Sequence, residues 1–187
     1  VYGECSKGAF AEVDCVPAAR LARKPGNLTF EQAAAVPMAG LTAFQGLRDD
    51  VGVEPGQRVL VNGASGGIGH LAVQIARSMG AEVTGVCSTR NLEMVRDLGA
   101  SHVIDYTRED FCADGPTYDV ILDTVGNRSL RDLRSALVPR GTYAPASGRG
   151  GWLLGPAASI LRAQLAGPFV SQRIAVVSCK PNGADLA

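Results

Sequence analysis

The residues best suited to chemistry in this 187-residue chain form a glycine-rich run, GASGGIG at positions 63–69. An apolar segment, residues 59–61, precedes the run, and a helix-like segment, residues 71–77, follows it. Glycines let a backbone approach a pyrophosphate closely, and a helix N-terminus offers free N–H groups and the positive end of its dipole. This order of strand, turn and helix predicts a dinucleotide site, with a purely structural turn as the alternative. We assign the pyrophosphate to this turn, from Gly63 to Gly69.

Polar residues after the second predicted strand concern the choice of cofactor. Many dinucleotide sites carry an acidic residue about 20 positions past the glycines, where it binds the ribose hydroxyls. This chain has Ser88, Thr89 and Arg90 there instead. Hydroxyl donors and a permanent cation suit a 2′-phosphate and so indicate NADPH, unless Arg90 is only a solvated side chain. Tyr106, after the third predicted strand, is either an adenosine-side contact or an ordinary edge tyrosine.

Two further segments are expected at the same edge of the sheet, where open α/β sheets bind their ligands. Val125 and Gly126 follow the apolar residues 120–122. Ala146 follows the next predicted strand, and residues 147–148 extend that loop towards the nicotinamide end. We assign Val125, Gly126 and Ala146 to the cofactor, with a simple chain turn as the alternative for Gly126.

Potential metal ligands are scattered along the sequence. His70 and His102 have no cysteine or carboxylate at ligand spacing, so no metal site is predicted. The five cysteines are odd in number and form no CxxC pair, which indicates reduced thiols in the cytosol or an organelle matrix. We therefore expect a cytoplasmic protein.

The composition excludes several classes of partner. Eighteen basic and 18 acidic residues balance and form no basic stripe, which argues against nucleic acid. No segment approaches the run of about 18 apolar residues that a membrane span requires. The first residues lack the basic start and apolar core of a signal peptide, and both ends of the sequence suggest an internal piece of a longer polypeptide.

Strand-like and helix-like segments alternate from residue 58 onward. Such alternation gives right-handed βαβ units and a parallel sheet covered on both faces. The sequence therefore predicts an α/β fold, a doubly wound parallel-sheet Rossmann domain. Strands are predicted at residues 58–62, 82–87, 103–105, 118–123 and 142–146, and helices at 67–79, 91–98 and 129–137.

The first part of the chain has a different pattern. Short antiparallel strands are predicted before the turn at residues 25–26, one of them over residues 9–13. Residues 29–32, TFEQ, have capping-box spacing, which predicts a helix that is interrupted at Pro37. A second helix is predicted over residues 41–48.

Four segments resemble the medium-chain dehydrogenase/reductases, and within these the zinc-independent quinone oxidoreductases. They occur in order and at matching spacing: GAFAE at residues 8–12, LTFEQAAAVPMAGLTA at 28–43, the glycine run at 63–69 and LGASHVIDY at 98–106. Members of this family have a GroES-like substrate domain that is split in sequence around a Rossmann domain, with the cofactor between the two.

The resemblance implies a division of this chain and roles for several residues. Residues 1–27 are the tail of the GroES-like β domain, 28–180 the Rossmann domain and 181–187 the start of the return to the GroES-like domain. Thr42 matches a threonine on the nicotinamide side. Ser65, Gly66, Gly67 and Ile68 match the pyrophosphate turn, Ser88 and Arg90 the 2′-phosphate loop, and Tyr106 a tyrosine that helps to hold this phosphate.

The implied activity is hydride transfer from NADPH to a small-molecule substrate, a quinone or a conjugated carbonyl, without zinc. The family's catalytic zinc ligands and four-cysteine zinc lobe have no match in this sequence. No residue is assigned a catalytic role, so we expect this piece to bind cofactor better than it catalyses. A homodimer is expected.

Rival interpretations differ in how well the residues support them. A short-chain dehydrogenase needs a Tyr-x-x-x-Lys pair for proton transfer. The residues four positions after the tyrosines are Ser6, Asp110, Leu122 and Ser147, which excludes that class. An enoyl-reductase module of a polyketide or fatty-acid synthase and a non-catalytic cofactor-binding module both remain open.

Overall fold

The computed structural model describes residues 1–5, 11–115, 117–146 and 171–187. Its strands are β1 (Tyr2–Gly3), β2 (Leu21–Ala22), β3 (Arg58–Asn62), β4 (Glu82–Cys87), β5 (His102–Asp105), β6 (Tyr118–Asp123), β7 (Leu137–Pro145) and β8 (Arg173–Ile174). Its α-helices are α1 (Phe30–Ala35), α2 (Pro37–Gln45), α3 (Gly67–Ser78), α4 (Leu92–Asp97) and α5 (Leu130–Ala136).

Six of these strands form one sheet in the order β5-β4-β3-β6-β7-β8, and all neighbouring pairs are parallel. Within this sheet, the first strand along the chain is the central strand β3. The chain then continues outward through β4 and β5 and returns to β6 on the other side of β3. This reversal is the switch point at which doubly wound sheets leave a crevice beyond the carboxyl ends of their strands. The predicted Rossmann fold is confirmed.

Apolar runs in the central strands explain why the sheet forms there. Val59, Leu60 and Val61 of β3 are fully buried, as strands covered on both faces require. On one face they pack against α3 through residues such as Val73. On the other face α5 contributes Leu133, so the core has two layers of helix around one sheet.

The start of the helical region confirms one expectation and corrects another. Thr29 caps α1, since its Oγ1 accepts the Gln32 N–H at 3.2 Å and the Gln32 side chain accepts the Thr29 N–H at 2.9 Å. The second helix, however, begins at Pro37 rather than at residue 41. Proline is well suited to the first helical position, because its missing N–H would have no partner there. The chain then continues past Gln45 as a π-helix over Gly46–Val51.

Strand β7 also differs from its prediction. It begins at Leu137 and ends at Pro145, whereas residues 142–146 were expected. Its pairing with β6 shifts register, and Arg140 there has a φ of 69°, a left-handed conformation that is unusual for a residue with a side chain. This irregularity hides the early start of the strand from a sequence pattern.

The N-terminal segment and the end of the chain contact each other. β1 and β2 form an antiparallel pair before the turn at residues 25–26, but this pair does not include the strand predicted at residues 9–13. Residues 11–13 are not in a strand, and the remainder of the strand predicted at 9–13 lies outside the described residues. The Tyr2 hydroxyl donates to the Leu186 carbonyl, and the Gly183 N–H donates to the Ala19 carbonyl at 2.8 Å. Among the described helices, none is both long and apolar enough to cross a bilayer.

Candidate functional site

A cleft of about 480 Å³ lies beyond the carboxyl ends of β3, β4, β5 and β6. It therefore occupies the crevice that the topology predicts. Its lining combines turn glycines, polar side chains and a single charged residue, Arg90, with no carboxylate among the described residues. The lining residues are Asn62, Gly63, Ser65, Gly66, Val86, Cys87, Ser88, Arg90, Asn91, Tyr106, Thr124, Val125 and Asn127.

The turn between β3 and α3 and the start of α3 each require glycine at one position. Gly63 has a φ of 86°, and a Cβ there would collide with the side chains of Thr124 and Val125. A Cβ at Gly69 would collide with the Gly63 carbonyl. The tight path of this turn brings the N-terminus of α3 to the cleft.

Helix α3 begins with its anion-binding groups unused. Its N-cap is Gly66, no side chain in the described chain accepts from its first N–H groups, and its first turn holds no acidic residue. A twelve-residue helix places partial positive charge at this end, where a phosphate is stabilised. The predicted anion site is therefore available at the edge of the cleft.

The side chains of the loop after β4 differ in their surroundings. Ser88 and Arg90 line the cleft, and Arg90 is exposed and forms no ion pair with a described residue. Thr89, which the sequence grouped with them as a phosphate contact, does not line the cleft. Its hydroxyl donates instead to the Asp105 carboxylate at 2.5 Å.

Asp105, at the end of β5, is 3% exposed. Besides Thr89, it accepts the N–H and the hydroxyl of Thr107 at 3.0 and 2.7 Å, and Arg108 Nε lies 3.7 Å away. The hydroxyls of Thr89 and Thr107 hold the pKa of the Asp105 carboxyl below its usual value. It is therefore an ionised carboxylate whose oxygens are occupied by protein donors.

A second buried carboxylate, Asp123, organises the floor of the cleft. Its Oδ1 accepts from Asn62 Nδ2 at 2.8 Å and from the N–H groups of Val125 and Gly126 at 3.0 and 2.9 Å. Its Oδ2 accepts from the Tyr143 hydroxyl at 3.1 Å. Burial, followed by the Asp123 charge, raises the pKa of Tyr143, which keeps this phenol protonated and donating.

Seven of the twelve residues assigned from sequence line the cleft together, and five do not. The lining ones are Gly63, Ser65, Gly66, Ser88, Arg90, Tyr106 and Val125. Gly67 and Ile68 are the first residues of α3, so they can serve only through backbone N–H groups. The Gly126 N–H is used by Asp123, and Ala146 packs against the core.

The remaining assignment, Thr42, is not at the cleft. It lies in α2, where its hydroxyl donates to the Met38 carbonyl at 2.7 Å. Residues 147–148, which were expected to extend the site, lie outside the described residues.

Sequence reasoning missed several lining residues and both buried carboxylates. Asn62 carried a usable signal, because it is a polar residue ending an apolar strand directly before the glycines. Asn127, which accepts from Asn62 Nδ2 at 3.0 Å, had none, since it stands 65 positions further along the chain. Asp105 and Asp123 are recognisable only from the donors that surround them.

Neither metal ligation nor a reactive thiol is evident at the site. Within the described residues, no three His, Cys, Asp or Glu side chains are grouped so that they could hold a metal ion. All five cysteines are unpaired, and burial raises the pKa of the Cys87 thiol at the cleft.

A parallel doubly wound sheet with an uncapped helix N-terminus at its switch point defines a nucleotide-binding Rossmann domain. The family model described as zinc-binding dehydrogenase matches residues 67–154. A 2-methylene-furan-3-one reductase of Solanum lycopersicum is 37% identical over 145 residues, 74% of this chain and 37% of the relative. A trans-enoyl reductase of Aspergillus terreus is 38% identical over 125 residues, 65% of this chain and 35% of the relative.

A solved structure of similar fold belongs to the same kind of protein as these relatives. A quinone oxidoreductase of Pseudomonas syringae superposes with a TM-score of 0.74 at 30% identity, covering 95% of this chain and 55% of that one. The chain belongs to the medium-chain dehydrogenase/reductase superfamily, and its relatives include quinone oxidoreductase-like proteins and enoyl reductases. It spans between 35% and 55% of the length of these three relatives.

Proposed function

We propose that this chain forms the NADPH-binding part of an oxidoreductase that transfers hydride to a quinone or a conjugated carbonyl without zinc. The observation that carries the proposal is the uncapped N-terminus of α3, which opens through the glycine turn onto the cleft at the switch point. The superfamily of its relatives supports a nicotinamide cofactor in general.

The pyrophosphate would bind at the turn and helix start. Ser65 and Gly66 line the cleft there, and the N–H groups of Gly67 and Ile68 are among those that a helix leaves without an internal partner. Two negative charges against this partial positive charge are favourable, and no carboxylate of the described lining opposes them.

The choice of NADPH rests on the other end of the cleft. Arg90 is the only charged residue among the described lining residues, and the hydroxyl-bearing Ser88 and Tyr106 line the same cleft. A guanidinium and hydroxyl donors suit a phosphate better than a pair of ribose hydroxyls, which an acidic residue would bind. NADH lacks the group that would use Arg90.

When bound, the nicotinamide supplies the hydride, and this chain's residues bind the cofactor and fix its position. The proton would come from water or from a group that the sequence does not identify. Two relatives are named for methylene-furanone and trans-enoyl substrates, which contain a C=C bond next to a carbonyl. This supports a conjugated carbonyl as one substrate class, beside the quinones.

The binding assignment is tested with a matched pair of glycine variants. Gly66→Val places a branched side chain in the cleft, while a Cβ at Gly66 meets only the Gly63 carbonyl at 3.2 Å, so the fold should persist. Gly26→Val is the control, because a Cβ there meets nothing within 4 Å and Gly26 is not at the cleft. Calorimetry should show NADPH binding lost in the first variant and retained in the second. A folded Gly66→Val protein with wild-type affinity would refute the assignment.

An enoyl-reductase module of a synthase is the second candidate, favoured by a polyketide synthase of Streptomyces halstedii that is 38% identical to this chain over 136 residues. A non-catalytic cofactor-binding module is the third. Consumption of NADPH with quinone, enone and enoyl-thioester substrates separates the three. Turnover with the thioester alone supports the synthase module, and tight binding without turnover of any substrate by the full-length protein supports the third.

The proposed organisation places residues 1–27 and 181–187 in a GroES-like domain around the Rossmann domain at 28–180. The contacts from Tyr2 to Leu186 and from Ala19 to Gly183 support this division, because they join the two outer segments. We further propose a homodimer in the cytoplasm. Light scattering of the purified protein and fractionation of cells test these two points.

A further inference from the structure

Asp105 lies at the centre of the residues proposed to hold the 2′-phosphate, although it does not line the cleft itself. It pairs with Cys87 in the ladder between β4 and β5, at the residue where both strands end. One of its oxygens accepts the Thr89 hydroxyl, and the other accepts two donors from Thr107. A single carboxylate therefore links the loop after β4 to the loop after β5.

Both threonines that donate to the Asp105 carboxylate are adjacent in sequence to a lining residue. Thr89 stands between Ser88 and Arg90, and Tyr106 stands between Asp105 and Thr107. The loop after β4 is short, a 3-10 turn over Thr89–Asn91. Thr89 is the first residue of this turn, so holding its side chain also restricts the directions of Ser88 and Arg90 on either side.

We propose that Asp105 is a positioning residue that sets the preference for NADPH over NADH by holding Thr89 and Thr107, and with them Ser88, Arg90 and Tyr106. This inference rests on the proposed function, since it concerns the same cofactor. The carboxylate repels the phosphate less than a free acid would, because hydroxyl and N–H donors and the Arg108 guanidinium at 3.7 Å surround its oxygens.

The test uses Thr89→Val, which removes the hydroxyl at nearly constant shape, and Thr89→Ser, which keeps it. Thr89 is exposed, so both variants should fold. NADPH and NADH are titrated calorimetrically into wild type and variants. We expect Thr89→Val to weaken NADPH binding by about five- to tenfold, the equivalent of one net hydrogen bond, and NADH by less than about twofold. Thr89→Ser should restore the wild-type ratio.

Asp105→Asn distinguishes positioning from a direct role of Thr89. Asp105→Asn replaces one of the two acceptor oxygens by an NH2 group. If Asp105 holds the loops, this variant should bind NADPH more weakly, while its affinity for NADH changes little. If Thr89 touches the phosphate itself, or if Asp105 only repels it, Asp105→Asn leaves NADPH affinity unchanged or raises it, and either result overturns the inference. A wild-type protein without any NADPH preference would overturn the cofactor proposal as well. A preference that survives in Thr89→Val overturns the positioning role alone.

Discussion

Replacing Arg90 is the most direct test of the charge at the cleft. Arg90→Ala removes the only charged side chain among the described lining residues. A hydrogen bond to a charged group contributes about 1.5–3 kcal/mol, and Arg90 is exposed, so the lower half of that range applies. NADPH should therefore bind about 12- to 45-fold more weakly, while NADH changes by less than about twofold.

Calorimetric titration of both cofactors gives the ratio of affinities directly. Arg131→Ala is the matched control, because it removes the same charge from an exposed position on α5 that is not at the cleft. Arg90→Lys keeps the charge but not the forked geometry, so it should retain part of the preference. The wild-type preference should also shrink between about 0.1 M and 1 M salt, as the screening length falls from about 10 Å to 3 Å. If Arg90→Ala leaves the ratio of NADPH to NADH affinity unchanged, the argument for NADPH fails.

Three other predictions concern stability and metal content. Arg140→Gly should raise the free energy of unfolding by roughly 0.5–1 kcal/mol in urea titrations, because glycine adopts the left-handed backbone at Arg140 without strain; a destabilised variant would contradict this. The pKa of Asp105 is lower in the folded chain than in the unfolded one, so its ionised carboxylate stabilises the fold above about pH 4, the pKa in the unfolded chain. This stabilisation is lost as the pH falls towards the pKa of Asp105 in the folded chain. Between neutral pH and about pH 3, the free energy of unfolding in urea should therefore fall less in Asp105→Asn than in wild type. An equal fall in both proteins would refute this prediction. Metal analysis of the dialysed protein should find zinc far below one atom per chain, whereas a stoichiometric, dialysis-resistant zinc would disprove zinc independence.

The central strands could be predicted from sequence because their signal is local. β3, β4 and β6 have the predicted bounds, since each is a strand of five or six residues that contains buried apolar residues and is set off by turns or loops. The start of α2 was wrong because proline was taken as a break, whereas at the first helical position it is favourable. β7 was predicted too short because Arg140 interrupts it with a backbone conformation that no pattern of side chains reports.

The site could be predicted in part for the same reason. Gly63, Ser65 and Gly66 lie within one local motif, and the structure brings them to the cleft. Asp105 and Thr89 are 16 positions apart, and Asn62 and Asp123 are 61 apart, so their contacts depend on which strands become neighbours. The sequence therefore indicated the kind of ligand, while the supporting hydrogen bonds became visible only in the folded chain.

The hydrogen bonds between the ends of β3 and β6 affect how quickly a ligand can bind. The Thr124 hydroxyl donates to the Asn62 carbonyl at 2.8 Å, and Asp123 holds both the Asn62 side chain and the loop that follows β6. The floor of the cleft is thus ordered before any ligand arrives, so binding does not bear the entropy cost of arranging it. Association should then proceed without a slow rearrangement at this floor, and variants that weaken the cofactor should act chiefly by shortening its residence time.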